Sequence, residues 1–137
     1  MASPRVFISS TCYDLKHIRE SLKYFVKGIG YEPVLSDDGD VFYDPQIHTH
    51  DSCLDEVSTC QIFVLIIGGR YGGIHNDSTE SITNEEYRMA VSNKIPIFTL
   101  VDHAVSSDHH LYQMNGKNND IDRDKVTYPA SDNVKIF

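Results

Sequence analysis

The run QIFVLII at residues 61–67 constrains the fold of this chain more than any other feature of its sequence. Every residue from Ile62 to Ile67 is apolar, so a strand formed here would bury both of its faces. Strands that are buried on both faces are typical of parallel sheets, which helices cover on either side. The run therefore predicts an α/β domain in which residues 61–67 form a central strand.

The segments on either side of this run alternate between strand and helix signals. Apolar runs predict further strands at residues 5–9, 32–35 and 95–101. Helical spacing and capping residues predict helices at residues 14–28, 51–59, 83–93 and 104–114, and turn-rich sequence predicts loops at 37–45 and 116–125. Alternation of this kind implies right-handed crossovers and a parallel sheet with helices on both faces. We expect a flavodoxin-like open sheet with the strand order 2-1-3-4-5.

Length and charge restrict the classes of function. The 137 residues fit one domain, residues 1–137, and the apolar stretch at 134–137 with no closing helix indicates the N-terminal part of a longer protein. A net charge of −8 disfavours nucleic acid or an anionic membrane as the main partner. The three cysteines have no short-spaced pair, which favours reduced thiols and a cytoplasmic protein. The pairs His48-x-His50 and His109-His110 could be metal ligands, but no Cys or His completes a four-ligand spacing with them, so we expect no metal site.

A ligand site is expected where the order of the strands reverses, between the first and third strands. The loop at residues 9–14 offers the hydroxyls of Ser9, Ser10 and Thr11 and the backbone amides of a helix N-terminus. The glycine-rich loop at 68–73 offers the guanidinium of Arg70 and the ring of Tyr71, with Tyr13 as the alternative ring. Such groups can hold the phosphate and the ring of a nucleotide. In the alternative interpretation the hydroxyl residues only cap a helix and the glycines only form a turn. Neither the P-loop pattern nor GxGxxG is present.

Thr83 and Glu86 allow two interpretations as well. Their spacing fits the capping box T-x-x-E, in which Glu86 would bond the Thr83 amide and have no other role. Alternatively, Glu86 is a carboxylate in the pocket between the first and third strands. There it would stabilise an oxocarbenium ion or bind ribose hydroxyls.

Three segments together, RVFISSTCYDL, QIFVLIIGGRYGG and SITNEEYRMA followed by IPIF, resemble a known family. It is the TIR-like domain of unknown function found at the N-terminus of bacterial and eukaryotic NTPase and NACHT-type proteins. Through that family the chain is similar, more distantly, to TIR domains and nucleoside deoxyribosyltransferases. The resemblance implies a five-stranded flavodoxin-like sheet, and some TIR domains cleave NAD at the bond between nicotinamide and ribose.

The resemblance also implies roles for particular residues. The catalytic glutamate of TIR enzymes lies in the helix after the third strand, which matches Glu86, with Glu85 as the neighbouring alternative. The loop after the first strand matches Ser9, Ser10 and Thr11. Together with Arg70, Tyr71 and Ser81, these are the expected substrate-binding residues, with NAD as a substrate and no bound cofactor.

Two classes of function remain open, with a third between them. The first is an effector enzyme of defence or signalling, an N-glycosidase that acts on NAD or a related nucleotide. The second is a module for self-association or docking within a larger sensor. TIR enzymes often carry a Trp-Cys pair before the glutamate, whereas this chain has Thr83-Asn84 and no tryptophan, which favours the module. The third is a sensor that binds a nucleotide without cleaving it.

Overall fold

A computed structural model of the chain describes residues 2–10, 15–35, 49–69 and 82–131. The strands are β1 (Arg5–Ser10), β2 (Glu32–Val34), β3 (Ile62–Ile67) and β4 (Ile97–Val101); the helices are α1 (Lys16–Gly28), α2 (Thr49–Ser58), α3 (Ile82–Ser92) and α4 (His103–Asn115). A 3-10 turn follows at Arg123–Lys125. The predicted strands and helices are confirmed, each with its ends displaced by at most two residues.

The strands form one parallel sheet in the order β2-β1-β3-β4. This confirms the first four positions of the predicted order, and the described residues contain no fifth strand. Pro33 in β2 lies on an edge strand, where its missing N–H is tolerated. The register aligns Ser9 of β1 with Leu65 of β3, and Leu65 with Thr99 of β4. These three residues therefore form a row across the sheet on one face.

Helices cover both faces of the sheet, because β3 is apolar on both sides. On one face α1 packs over residues that include Ile8 and Ile66. On the other face, residues of α2, α3 and α4 pack over a core that contains Phe7, Phe63 and Leu65. Phe7 and Phe63 stack with ring centroids 5.6 Å apart, which joins β1 to β3 on that face.

Arg5 links three elements at the amino edge of the sheet, which is the end where the parallel strands begin. Its Nη2 lies 2.8 Å from Oε2 of Glu56 in α2, and its Nε lies 3.6 Å from Oε1 of Glu32 in β2. Its Nη1 also donates a hydrogen bond to the Thr59 hydroxyl. Burial alone would lower the pKa of Arg5, but the hydrogen bond to Glu56 and the nearby negative charges raise it. The guanidinium therefore stays charged and joins the starts of β1 and β2 to the end of α2.

Polar contacts bind the segment after α4 to that helix. The backbone N–H of Ala130 donates to Oδ2 of Asp108 at 2.8 Å, and the hydroxyl of Tyr112 donates to Oδ1 of Asp124 at 3.0 Å. The guanidinium carbon of Arg123 lies 4.3 Å from the centre of the Tyr112 ring. The last part of the predicted loop at 116–125 is thus fixed against α4.

None of the described helices has the length and apolar character needed to cross a membrane.

The outer strand β4 is covered incompletely. Phe98 and Leu100 align with Val64 and Ile66 of β3, on the face that α1 covers. Nevertheless, Phe98 is 60% exposed and Leu100 is 46% exposed. Cover by α1 therefore reaches β3 and does not extend over β4.

Candidate functional site

A buried hydrogen bond joins β1 to α3 near the carboxyl end of the sheet. The hydroxyl of Ser9 donates to Oε2 of Glu86, which lies in the second turn of α3. Both residues are only 3% exposed. A carboxylate removed from water needs hydrogen-bond donors to offset its lost hydration, and Ser9 supplies one. The fold thus holds an acidic group at the end of the sheet where a ligand site is expected.

Thr83 and Glu86 both direct polar atoms towards β1. The capping-box interpretation requires Thr83 to lie immediately before the helix. Because α3 begins at Ile82, Thr83 instead lies inside its first turn. The hydroxyl of Thr83 donates to the carbonyl oxygen of Ser10 at 3.0 Å. That bond satisfies the last carbonyl of β1 and fixes the first turn of α3 against the strand. The T-x-x-E spacing here serves contact between two elements.

Ser10 lies next to this contact but faces the other way. Its register partner is Ile66, on the face that α1 covers, whereas the register partner of Ser9 is Leu65 on the α3 face. The structure therefore brings Ser9 to Glu86 through its side chain, and Ser10 to Thr83 only through its carbonyl oxygen. The hydroxyl of Ser10 is buried and has no hydrogen-bond partner among the described residues. A buried hydroxyl without a partner is costly, and a bound ligand or water can satisfy it.

The chain leaves β3 between two close neighbours. A Cβ at Gly68 would lie 3.0 Å from Cδ1 of Leu15, just before α1. A Cβ at Gly69 would lie 2.2 Å from the carbonyl oxygen of Ala130, so this position accepts only glycine. The segment bound to α4 therefore passes directly against the end of β3. Glycine is required here for close backbone approach.

Four of the predicted substrate-binding residues lie outside the described residues. They are Thr11, Arg70, Tyr71 and Ser81. The described part of the site consists of Ser9, Ser10 and Glu86, with Thr83 as a contact that the sequence interpretation did not include.

The sequence was compared with protein-family models and with curated proteins. It matches the model described as "Domain of unknown function (DUF4062)" over residues 5–136. The chain belongs to this family. The comparison with curated proteins found no match. The region of the DUF4062 match includes both β1 and α3, which supply the buried Ser9–Glu86 contact.

Two other kinds of reactive group in this DUF4062 domain are metal-ligating side chains and the thiol of Cys60. In the part of the chain that the structure describes, no three His, Cys, Asp or Glu residues form a group that could hold a metal ion. Burial raises the pKa of the Cys60 thiol to about 11, although the charge of Arg5 acts in the opposite direction. A thiol that stays protonated at neutral pH is a poor nucleophile.

The DUF4062 domain also has a cleft that the sequence interpretation missed. The cleft lies between α3 and β4 on the face where Ser9 meets Glu86, and its volume is about 440 Å³. It is lined by Leu65, Ile67, Asn84, Tyr87, Arg88 and Thr99. Asn84, Tyr87 and Arg88 are three and four positions apart, so they share one side of α3. That spacing was the available signal, but polar residues at such positions usually mark a solvated helix face.

Proposed function

We propose that this domain binds a nucleotide at the carboxyl ends of β1 and β3 and cleaves the N-glycosidic bond of NAD or a related nucleotide. The observation that carries the proposal is the buried carboxylate of Glu86, which accepts a hydrogen bond from Ser9. Buried acidic groups are frequent at catalytic sites, because the exclusion of water strengthens their electrostatic effect on a charged reactant. The resemblance to TIR domains points to the same residue.

The chemistry fits a carboxylate in a dry site. In the proposed reaction the bond from ribose C1′ to the base nitrogen breaks, and its electron pair leaves with the base. Water then adds to C1′, so NAD and water give nicotinamide, ADP-ribose and a proton. Positive charge develops on the ribose as the base leaves, and a carboxylate stabilises that charge more strongly when water is excluded. Ser9 would orient the Glu86 carboxylate.

The remaining predicted residues would bind the rest of the substrate. The buried hydroxyl of Ser10 has a hydrogen bond to offer, and Thr11 and Arg70 would hold phosphate. Tyr71 would stack on a ring, and Ser81 would contact the substrate near the start of α3. NAD enters this scheme as a substrate, with no resident cofactor.

The proposal includes a finer assignment of the fold. In the described sheet β4 pairs with β3 alone, so its other edge is available to a fifth strand. A fifth strand there would complete the flavodoxin-like, TIR-like order 2-1-3-4-5. From the family resemblance we also propose that the parent is a larger NTPase or NACHT-type protein with this domain at its N-terminus.

A matched pair of variants tests the enzymatic proposal. The purified domain is incubated with NAD, NADP and nucleosides, and the released base is measured by chromatography. Glu86→Gln keeps the side-chain size and a hydrogen-bond acceptor but removes the charge, so we expect turnover to fall about 100-fold or more. Glu85→Gln removes the neighbouring carboxylate and should leave turnover unchanged. Equal activity of the Glu86 variant and the wild type, or no turnover in the wild type, would overturn the proposal.

A second candidate function, self-association without turnover, is favoured by the exposed apolar side chains of β4. The strand IFTLV contains no charged residue, so repulsion between two copies of net charge −8 would be weakest there. A fifth strand at the edge of β4 would still leave its face open. We propose that a second copy packs its own Phe98 and Leu100 against this face, in a two-fold contact.

Light scattering after size-exclusion chromatography tests this alternative. We expect the wild type to be a dimer and the double variant Phe98→Ser, Leu100→Ser to be a monomer. The control Leu111→Ser changes a side chain on α4 that is also exposed, at 53%, and should leave the dimer intact. A monomeric wild type, or a double variant that remains dimeric, would exclude this face as the contact.

A further inference from the structure

We propose that the cleft between α3 and β4 is a separate binding site for a small planar aromatic molecule that carries a carboxylate or similar anionic group. The proposal does not depend on turnover at Glu86. In the sheet, Ser9, Leu65 and Thr99 follow one another across β1, β3 and β4. Adjacent strands are about 4.8 Å apart, so Thr99 lies roughly 10 Å from Ser9. Leu65 stands between the buried Ser9–Glu86 contact and the cleft.

The size of the cleft suits a ligand of one or two rings. Cavities of about 150 Å³ bind benzene, and sites for small molecules usually measure roughly 300–1,000 Å³. At about 440 Å³ the cleft has room for a bicyclic ring with a substituent. Its floor is formed by the aliphatic residues Leu65 and Ile67, which are suited to the face of a flat ring.

The rim of the cleft selects for an anion. Arg88 is the only charged residue among the six that line it, and it stands out in a chain of net charge −8. A guanidinium pairs with a carboxylate through two parallel hydrogen bonds, and its five N–H groups allow it to do so while keeping another contact. Asn84, Tyr87 and Thr99 add an amide, a phenol and a hydroxyl, which can fix the orientation of the ligand.

The position of the rim residues makes entry possible. Arg88 and Thr99 are both exposed, whereas Leu65 and Ile67 are buried. The charged group of a ligand would therefore stay near solvent while its ring reaches the aliphatic floor. A neutral molecule of the same shape would gain the floor contact and lose the pairing with Arg88. That difference makes the proposal testable with two matched compounds.

The experiment compares 2-naphthoate with the neutral 2-naphthalenemethanol, by titration followed with NMR and calorimetry. For a ligand of this size we expect a Kd on the order of 1 mM for naphthoate, and binding about tenfold weaker for the alcohol. Arg88→Gln should reduce naphthoate binding about tenfold while leaving the weak binding of the alcohol unchanged. Thr99→Phe, at an exposed strand position, should fill the cleft and abolish the binding of both compounds.

Two controls distinguish this site from others. Lys94→Gln removes an exposed cation that lies just after α3 and outside the cleft, and should leave binding unchanged. Glu86→Gln should also leave naphthoate binding unchanged, so loss of the enzymatic proposal would not affect this one. The melting temperature of each variant shows that it is folded. No naphthoate binding by the wild type at several millimolar, or binding unchanged in both Arg88→Gln and Thr99→Phe, would overturn the proposal.

Discussion

The hydroxyl of Ser9 donates a hydrogen bond to the carboxylate of Glu86, 77 positions further along the chain. This contact fastens α3 to β1, which is one of the two inner strands of the sheet. Ser9→Ala would leave a buried carboxylate without that donor. We expect the free energy of unfolding in urea to fall by about 1–3 kcal/mol, the usual cost of leaving a buried polar group without its partner.

Ser10→Ala is the matched control, because it makes the same truncation one residue later. The hydroxyl of Ser10 is buried and has no partner among the described residues, so its removal breaks no described hydrogen bond. Because a buried hydroxyl without a partner is costly, we expect no loss of stability relative to the wild type, and a gain of up to about 1–3 kcal/mol. Equal losses in the two variants would show that the Ser9–Glu86 contact has no special role in stability.

Leu65 connects the core to both candidate sites. It is 2% exposed, lies in the core cluster with Phe7 and Phe63, and forms part of the cleft floor. Leu65→Ala should lower the free energy of unfolding by about 2–5 kcal/mol, since β1 and β4 on either side of β3 cannot move in to fill the cavity that the substitution leaves. Leu111→Ala, at an exposed position of α4, should cost less than about 0.5 kcal/mol. A loss of that small size at Leu65 would contradict its place in the core.

Much of the fold could be predicted from the sequence, because β3 and α1 have clear apolar patterns. The pattern of α4 is weaker, since its buried side includes Asp108 and Tyr112 alongside Val105. Asp108 is buried because it accepts a hydrogen bond from the backbone of Ala130. That contact depends on how a distant segment returns to the helix, which local periodicity does not encode.

The candidate site was predictable to a similar extent. The sequence indicated the helix that carries Glu86, but the partner of Glu86 depends on the strand register. One residue decides the face, and the register directs Ser9 towards α3 and Ser10 towards α1. The cleft beside β4 arises from the space left between α3 and that strand. No residue pattern predicts such a space, because Asn84 and Arg88 resemble ordinary residues of a solvated helix.

Arg5 and Glu56 should stabilise the amino edge of the sheet. Their side chains are 24% and 16% exposed and their charged atoms are 2.8 Å apart, so water screens the pair only in part. Glu56→Gln should lower the free energy of unfolding by about 1–3 kcal/mol, in the range of hydrogen bonds to charged groups. Glu32→Gln removes the longer and more exposed contact, at 3.6 Å, and should cost less than about 1 kcal/mol. The reverse order would show that Glu32 is the main partner of Arg5.

Gly69 should tolerate no side chain. The nearest neighbour of an added Cβ is the backbone oxygen of Ala130, and that segment is held by Asp108. Gly69→Ala should therefore destabilise the fold by about 1–3 kcal/mol and displace the segment around Ala130, visible as NMR shift changes there. Gly28→Ala is the control, since nothing lies within 4 Å of its added Cβ. Equal stability of the two variants would contradict the close approach.

Cys60 should make stability depend on pH in the alkaline range. Burial raises the pKa of its thiol from 9.0 to about 11, because the thiolate would lose its hydration in the fold. Below pH 9 the thiol is protonated in both the folded and the unfolded chain, and its contribution to stability is complete. Between pH 9 and 11 the unfolded chain releases the proton while the folded chain retains it, so the free energy of unfolding falls as pH rises.

Comparison with Cys60→Ala isolates this effect from the other groups that titrate in the same range. Both proteins are unfolded in urea with reductant at pH 8, 9, 10 and 11. At pH 8 the wild type should be more stable, because the variant leaves a small cavity in the core cluster that contains Cys60. The difference should then shrink steadily towards pH 11, since only the wild type contains a thiol that releases its proton more readily in the unfolded chain than in the folded chain. A difference that stays constant across this range would show that the Cys60 thiol titrates alike in the folded and unfolded chain.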